Sequence, residues 1–129
     1  MDLLMYHDVV EIEAGDVDFV DEEKLRFKKE NELAAIKSIC KKISKEKADK
    51  LSRLFNEFEE NKTIEAKFAN AIDKLEPVIY LIGYKNYLKK RGLTEEILRS
   101  KKDKYFIEFP EIMSLWNELL NYFKSNNYF

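Results

Sequence analysis

The chain has 129 residues, 45% hydrophobic and 37% charged, with three Gly and two Pro; this balance suits one small, soluble, helix-rich domain with a modest core. Its 23 Lys plus Arg against 25 Asp plus Glu leave a net charge of -2, which argues against a dedicated nucleic-acid binder, because phosphate-tracking surfaces need a basic excess. Cys40 is the sole cysteine, so an intrachain disulfide and a thiolate metal cluster are excluded; with no signal-peptide pattern and no membrane-length apolar run, the expectation is a cytoplasmic protein.

The first predicted helix runs from Asp2 to about Glu13 and carries Tyr6-His7-Asp8-Val9-Val10-Glu11-Ile12-Glu13-Ala14-Gly15-Asp16, which holds the only histidine of the chain. At about 100° per residue, His7 and Asp8 are neighbours in azimuth, and Glu11 falls between them one turn on. Met5, Tyr6, Val9 and Val10 take the opposite side, so the polar wedge is expected on a helix packed from behind. An imidazole beside a carboxylate can bind a divalent ion, and a carboxylate one turn away can act on water bound to it. The plainer reading of one His beside one Asp is a surface histidine. Gly15 reads as a helix stop and Asp16 as a loop acid returning over the same end.

Asp21 caps a second helix with Glu22 and Glu23 in its first turn, and Leu25, Leu33, Ile36, Ile39, Cys40 and Ile43 keep mostly helical spacing. Lys28, Lys29 and the stretch from Glu30 to Glu32 read as its solvated face. Ser44 caps a third helix with Leu51, Leu54, Phe55 and Phe58 as buried stripe, and Asn61-Lys62 ends it. Thr63 caps a fourth, on which Ile64, Phe68, Ile72, Leu75 and Ile79 are the expected core. Asp73 sits at the edge of that stripe, where an unpaired carboxylate is costly to desolvate and needs a partner. Lys74, Lys67 or a helix end can serve, and so can an ion held by His7 and Asp8. Pro77 removes the hydrogen bond to the carbonyl of Asp73 and predicts a kink there.

Tyr84, Tyr87, Lys85, Lys89, Lys90 and Arg91 form an aromatic and basic cluster that can stack on bases and meet phosphate, or simply snorkel on a surface helix. Thr94 caps a helix with Glu95 and Glu96 in its first turn. Pro110 opens the last one, with Ile112, Leu115, Trp116, Leu119 and Phe123 as its stripe. Residues from Ser125 to Phe129 are expected to fray unless Tyr128 and Phe129 dock on a partner.

The string His-Asp-x-x-Glu followed by Ala-Gly-Asp resembles the metal-dependent HD-domain phosphohydrolases, within them the bacterial 5'-deoxynucleotidases and their eukaryotic HD-domain-containing relatives. The segment from Thr63 to Pro77, an acidic helix with Asp73 followed by Leu75, is similar to that branch's second signature. The resemblance runs from about Leu3 to Phe123. It implies an all-α bundle of five or six helices over residues 1–129, equivalent to the C-terminal two-thirds of an HD domain. It further implies that His7, Asp8 and Asp73 are metal ligands, that Glu11 assists proton transfer and that Asp16 contacts the substrate on its sugar side. The implied substrate is a deoxynucleoside 5'-monophosphate. Mixed N and O ligands favour Mn²⁺, Co²⁺, Fe²⁺ or Zn²⁺ over Ca²⁺.

The family's first metal histidine and an upstream basic residue lie on helices before the doublet, and they have no counterpart in this sequence. The expectation is therefore an N-terminally truncated domain. Its uncovered surface, around Leu3, Met5, Val9 and Val10, would be buried in a homodimer or by an upstream partner chain. The competing expectation is a catalytically incomplete remnant, serving as a helical interaction module or as one part of a split enzyme.

Overall fold

A computed structural model describes residues 1–17 and 21–129. Among these there are seven α-helices and no strand: α1 (Asp2–Ala14), α2 (Glu22–Cys40), α3 (Lys45–Glu60), α4 (Ile64–Tyr80), α5 (Tyr87–Lys90), α6 (Glu95–Phe106) and α7 (Pro110–Ser125), with a 3₁₀ turn at Leu81–Gly83. The all-α expectation holds, and the helix beyond six is α5, a single turn too short to leave a periodic pattern in sequence. No helix of the described residues is long and apolar enough to cross a membrane.

The helix starts follow from local chemistry. Asp21, Ser44 and Thr94 each accept a hydrogen bond from the backbone N–H three residues on, at 3.1, 3.4 and 3.4 Å, which satisfies one orphan donor of each first turn. Thr63 accepts from the Ala66 N–H at 3.1 Å and donates to Glu57 Oε1 at 2.9 Å, so one hydroxyl ties the end of α3 to the start of α4. At the end of α1, Gly15 adopts φ 80° and ψ 149° while its N–H meets the Glu11 carbonyl at 2.8 Å. A side chain would be strained in that backbone conformation, and glycine takes it freely.

The chain divides into two compact units, Met1–Ala66 and Lys67–Phe129. In the first, α1, α2 and α3 each pack on the other two, around a core of Val10, Ala35, Ile36, Leu51 and Phe55 flanked by Tyr6, Ile39, Cys40 and Ile43. In the second, α6 packs on α7. There Trp116 meets Phe106 with ring centroids 5.2 Å apart and donates to Asp103 Oδ1 at 2.7 Å.

Several burial expectations are corrected. Leu25 and Leu33 of α2 are exposed, and the buried positions of that helix are Glu32, Ala35 and Ile36. On α4, Ile64, Phe68 and Ile79 are exposed, whereas Ala66, Ala69, Asn70, Ala71, Leu75 and Val78 are buried. The inner face of α4 is therefore largely small residues, and side-chain size misled the reading of which stripe is core. Leu115 of α7 is exposed, while Ile112, Trp116, Leu119, Leu120 and Phe123 are buried. The C-terminus docks within the chain: Tyr128 is buried, stacks on Phe123 at 4.7 Å and donates to the Ile82 carbonyl at 2.6 Å. Leu3 and Val10 are likewise buried, which leaves Met5 and Ile12 as the large exposed apolar side chains of α1 after Met1.

Candidate metal centre

The buried residues of α1 are Leu3, His7 and Val10, spaced four and three apart and so on one stripe of the helix. His7 belongs to that stripe. Sequence reading put it on a polar wedge turned away from the packed side, but its imidazole is only 1% exposed. Asp8, a further 100° round, stays at the surface with its side chain 68% exposed. Glu11, one turn beyond His7, is 21% exposed. From His7 Nδ1 it is 3.7 Å to Asp8 Oδ1 and 3.9 Å to Glu11 Oε1, both beyond hydrogen-bond reach.

The other two helices of this unit hold the ring from behind. α3 brings Phe58 against the imidazole, with centroids 4.1 Å apart and planes 30° from parallel, and Phe55 at 6.2 Å and 5°. α2 brings Glu32, which is 2% exposed and has Lys28 Nζ 3.4 Å from its Oε1. Burial pushes the Glu32 carboxyl above its ordinary range, and the positive charge of Lys28 pulls it back. His7, Glu11 and Glu32 each offer one ligand atom lying within 4.8 Å of the others.

Glu32 is the functional candidate that sequence reading missed, having been assigned with its neighbours to a solvated face. A signal was present: it is in helical register with Ala35, Ile36 and Ile39, the positions that pack into the core. An acid on an apolar stripe needs a reason to be there. Two enclosed atoms of the cluster, His7 Nδ1 and Glu32 Oε1, have no hydrogen-bond partner among the described residues.

The remaining expected site residues are placed as follows. Asp16 lies in the loop after α1 and is exposed. Asp73 is on α4 in the second unit, part-buried, with its carboxylate paired to Lys74, one of the partners anticipated for it. In the aromatic and basic cluster, the Tyr80 and Tyr84 hydroxyls share a 2.8 Å hydrogen bond and the Arg91 guanidinium stands 5.5 Å from the Tyr87 ring centre. One immobilised imidazole with carboxylates at its side is a donor set suited to a mid-series divalent cation. Chemically, such a set can hold an ion, polarise a phosphoryl oxygen and accept a proton from water.

The family model described as HD domain matches residues 1–118. The human 5'-deoxynucleotidase HDDC2 is 28% identical over 117 residues, 91% of this chain and 56% of that protein. The HDDC2 protein of Xenopus laevis is 26% identical over 113 residues, 88% of this chain and 55% of that protein. The crystal structure of a predicted metal-dependent phosphohydrolase from Magnetospirillum magnetotacticum MS-1 is similar with a TM-score of 0.80 and 28% identity, over 98% of this chain and 64% of that one. The chain thus spans about half the length of the curated relatives it matches.

Proposed function

This chain belongs to the HD domain family, and from that membership we propose that it is a divalent-metal-dependent phosphohydrolase acting on deoxynucleoside 5'-monophosphates. The observation that carries the reading is His7, an imidazole buried in the core and stacked on Phe58, with the Asp8 and Glu11 carboxylates 3.7 and 3.9 Å from its Nδ1. A histidine needed only for packing has no use for two acids beside it. The substrate class is suggested by the HDDC2 relatives.

In this proposal His7, Asp8 and Asp73 hold the ion, which is Mn²⁺, Co²⁺, Fe²⁺ or Zn²⁺. When bound it supplies Lewis-acid polarisation of the phosphoryl group and acidifies water. Glu11 takes a proton from the attacking water as its oxygen bonds to phosphorus; the P–O bond to the 5'-carbon oxygen breaks, and the nucleoside leaves as its alcohol. Asp16 contacts the sugar. The phenyl rings of Phe55 and Phe58 keep the imidazole plane fixed, so a ligand nitrogen is presented without searching rotamers.

The test is phosphate release from deoxynucleoside monophosphates with Mn²⁺ or Co²⁺ added. Glu11→Gln is expected to abolish turnover with metal uptake largely retained, and Asp8→Asn to weaken uptake itself. Unchanged turnover in Glu11→Gln refutes the assigned mechanism. Absent activity that returns when a histidine-bearing helix is supplied in trans favours the competing reading, one part of a split enzyme.

A further inference from the structure

We propose that Glu32 is a positioning residue for the metal centre: its carboxylate accepts the Nδ1 proton of His7, fixing the tautomer that presents Nε2 to the ion. The inference rests on the reading of His7 as a ligand and adds to it a residue on a different helix. Its basis is geometric. His7 Nδ1 and Glu32 Oε1 are the two enclosed atoms of this cluster that lack a hydrogen-bond partner among the described residues, and Glu32 has an oxygen within 4.8 Å of a His7 ring nitrogen. Two orphans this close, one able to donate and the other able only to accept, satisfy each other through a small rotation of either side chain.

Enclosure also decides which nitrogen does what. An ion that must meet a substrate needs an open side, and Nδ1 is sealed inside the unit; it is suited to hold a proton and unsuited to hold a reacting ion. Lys28, 3.4 Å from Glu32 Oε1, then has a definite part. By supplying a positive charge next to the carboxylate it keeps Glu32 an acceptor inside the core. It also makes Glu32 a poor ligand for a second cation, so Glu32 stands behind the imidazole and not on the ion. Asp8 and Glu11 are the competing acceptors, at 3.7 and 3.9 Å from Nδ1, but both reach toward solvent and are engaged elsewhere in the proposed chemistry. A metal-bound imidazole whose other nitrogen donates to a carboxylate is oriented and made more basic, and losing such a partner typically weakens metal binding about 10–100-fold.

The chain's single histidine makes the test direct, because in protein grown on nitrogen-labelled histidine every imidazole NMR signal is His7. In the whole metal-free chain the ring is expected to be neutral and protonated at Nδ1, with that N–H slow to exchange. Zn²⁺ should shift Nε2 and leave the Nδ1 proton in place. Glu32→Gln, which keeps volume and an acceptor oxygen, should lower Zn²⁺ affinity about 10–100-fold at unchanged helix content. Glu32→Met, which removes the acceptor, should release the ring to a mixture of tautomers. A wild-type ring protonated at Nε2, or a tautomer unmoved in a folded Glu32→Met but lost in Glu11→Gln, overturns the proposal. Failure of the ligand reading looks different: Zn²⁺ then binds wild type and His7→Ala alike. The metal-free tautomer still decides for or against Glu32 in that event, and needs no variant to fold.

Discussion

The two units treat buried polar groups in opposite ways. In the second, the buried polar tips close on partners of their own: Trp116 Nε1 on Asp103, the Tyr128 hydroxyl on the Ile82 carbonyl, and Lys102 Nζ on the Lys74 carbonyl at 2.7 Å. In the first, His7 and Glu32 lie as deep as any core residue, and an atom of each is left without a hydrogen bond among the described residues. An unsatisfied buried polar atom costs about 1–3 kcal/mol, so a unit selected only for stability would have replaced them. The difference marks the first unit as the one shaped by chemistry and the second as shaped by packing.

The largest effect expected from this contrast is in the packing unit. Trp116→Ala removes a fully buried ring that contacts Phe106 and strands the Asp103 carboxylate it bonds. The loss of stability should be about 3–5 kcal/mol, read as a shift of the denaturant midpoint, with metal affinity of the folded protein unchanged. A loss below about 1 kcal/mol would mean that the aromatic interior of the second unit is not what holds it together.

The chemical unit should respond with the opposite sign. Replacing Lys28 and Glu32 together, by Met and Leu, exchanges a buried ion pair for apolar volume, a change that is often neutral or stabilising by about 1–4 kcal/mol. The pH dependence is fixed by the raised carboxyl of Glu32. A folded-state value above the ordinary 4.5 makes its contribution most favourable below 4.5 and progressively lost as pH rises through the folded value. The double variant should therefore gain most at neutral pH and least in acid, measured by thermal melts without metal. If it is instead markedly destabilised at neutral pH, the pair is structural and the contrast between the units fails.

What the sequence made legible follows the same division between local and non-local causes. Caps at Asp21, Ser44, Thr63 and Thr94 were readable because a side-chain oxygen and an N–H three residues away need nothing else. The neighbours of His7 were readable for the same reason: Asp8 and Glu11 are set by helical spacing alone. Burial was not, because it depends on what packs opposite. His7 was assigned to the polar side by its chemistry although its spacing from Leu3 and Val10 placed it in the core. Glu32 was hidden among charged neighbours. The alanine face of α4 was overlooked in favour of larger residues that turn outward. Each miss is a case in which residue type was trusted above register.

The smallest effect expected is at the surface of the second unit, where an acid is stabilised and not strained. Glu95 begins α6 and Lys124 lies in the last turn of α7, so each charge sits at the helix end whose dipole favours it. They meet at 2.6 Å, and Arg99 Nε donates to the same carboxylate at 3.0 Å. Lys124 and then Arg99 hold the Glu95 carboxyl below the ordinary 4.5. A lowered folded-state value reverses the sign found for Glu32: the unfolded chain binds the proton first, so the contribution is present in full above 4.5 and lost as pH falls through the folded value. Glu95→Gln should thus melt slightly below wild type near neutral pH, with the gap closing in acid and shrinking at high salt, since exposed pairs are worth about 0–1 kcal/mol. A gap that widens as the pH is lowered would show that the Glu95 side chain acts through packing, and that charge at this edge of the unit is incidental.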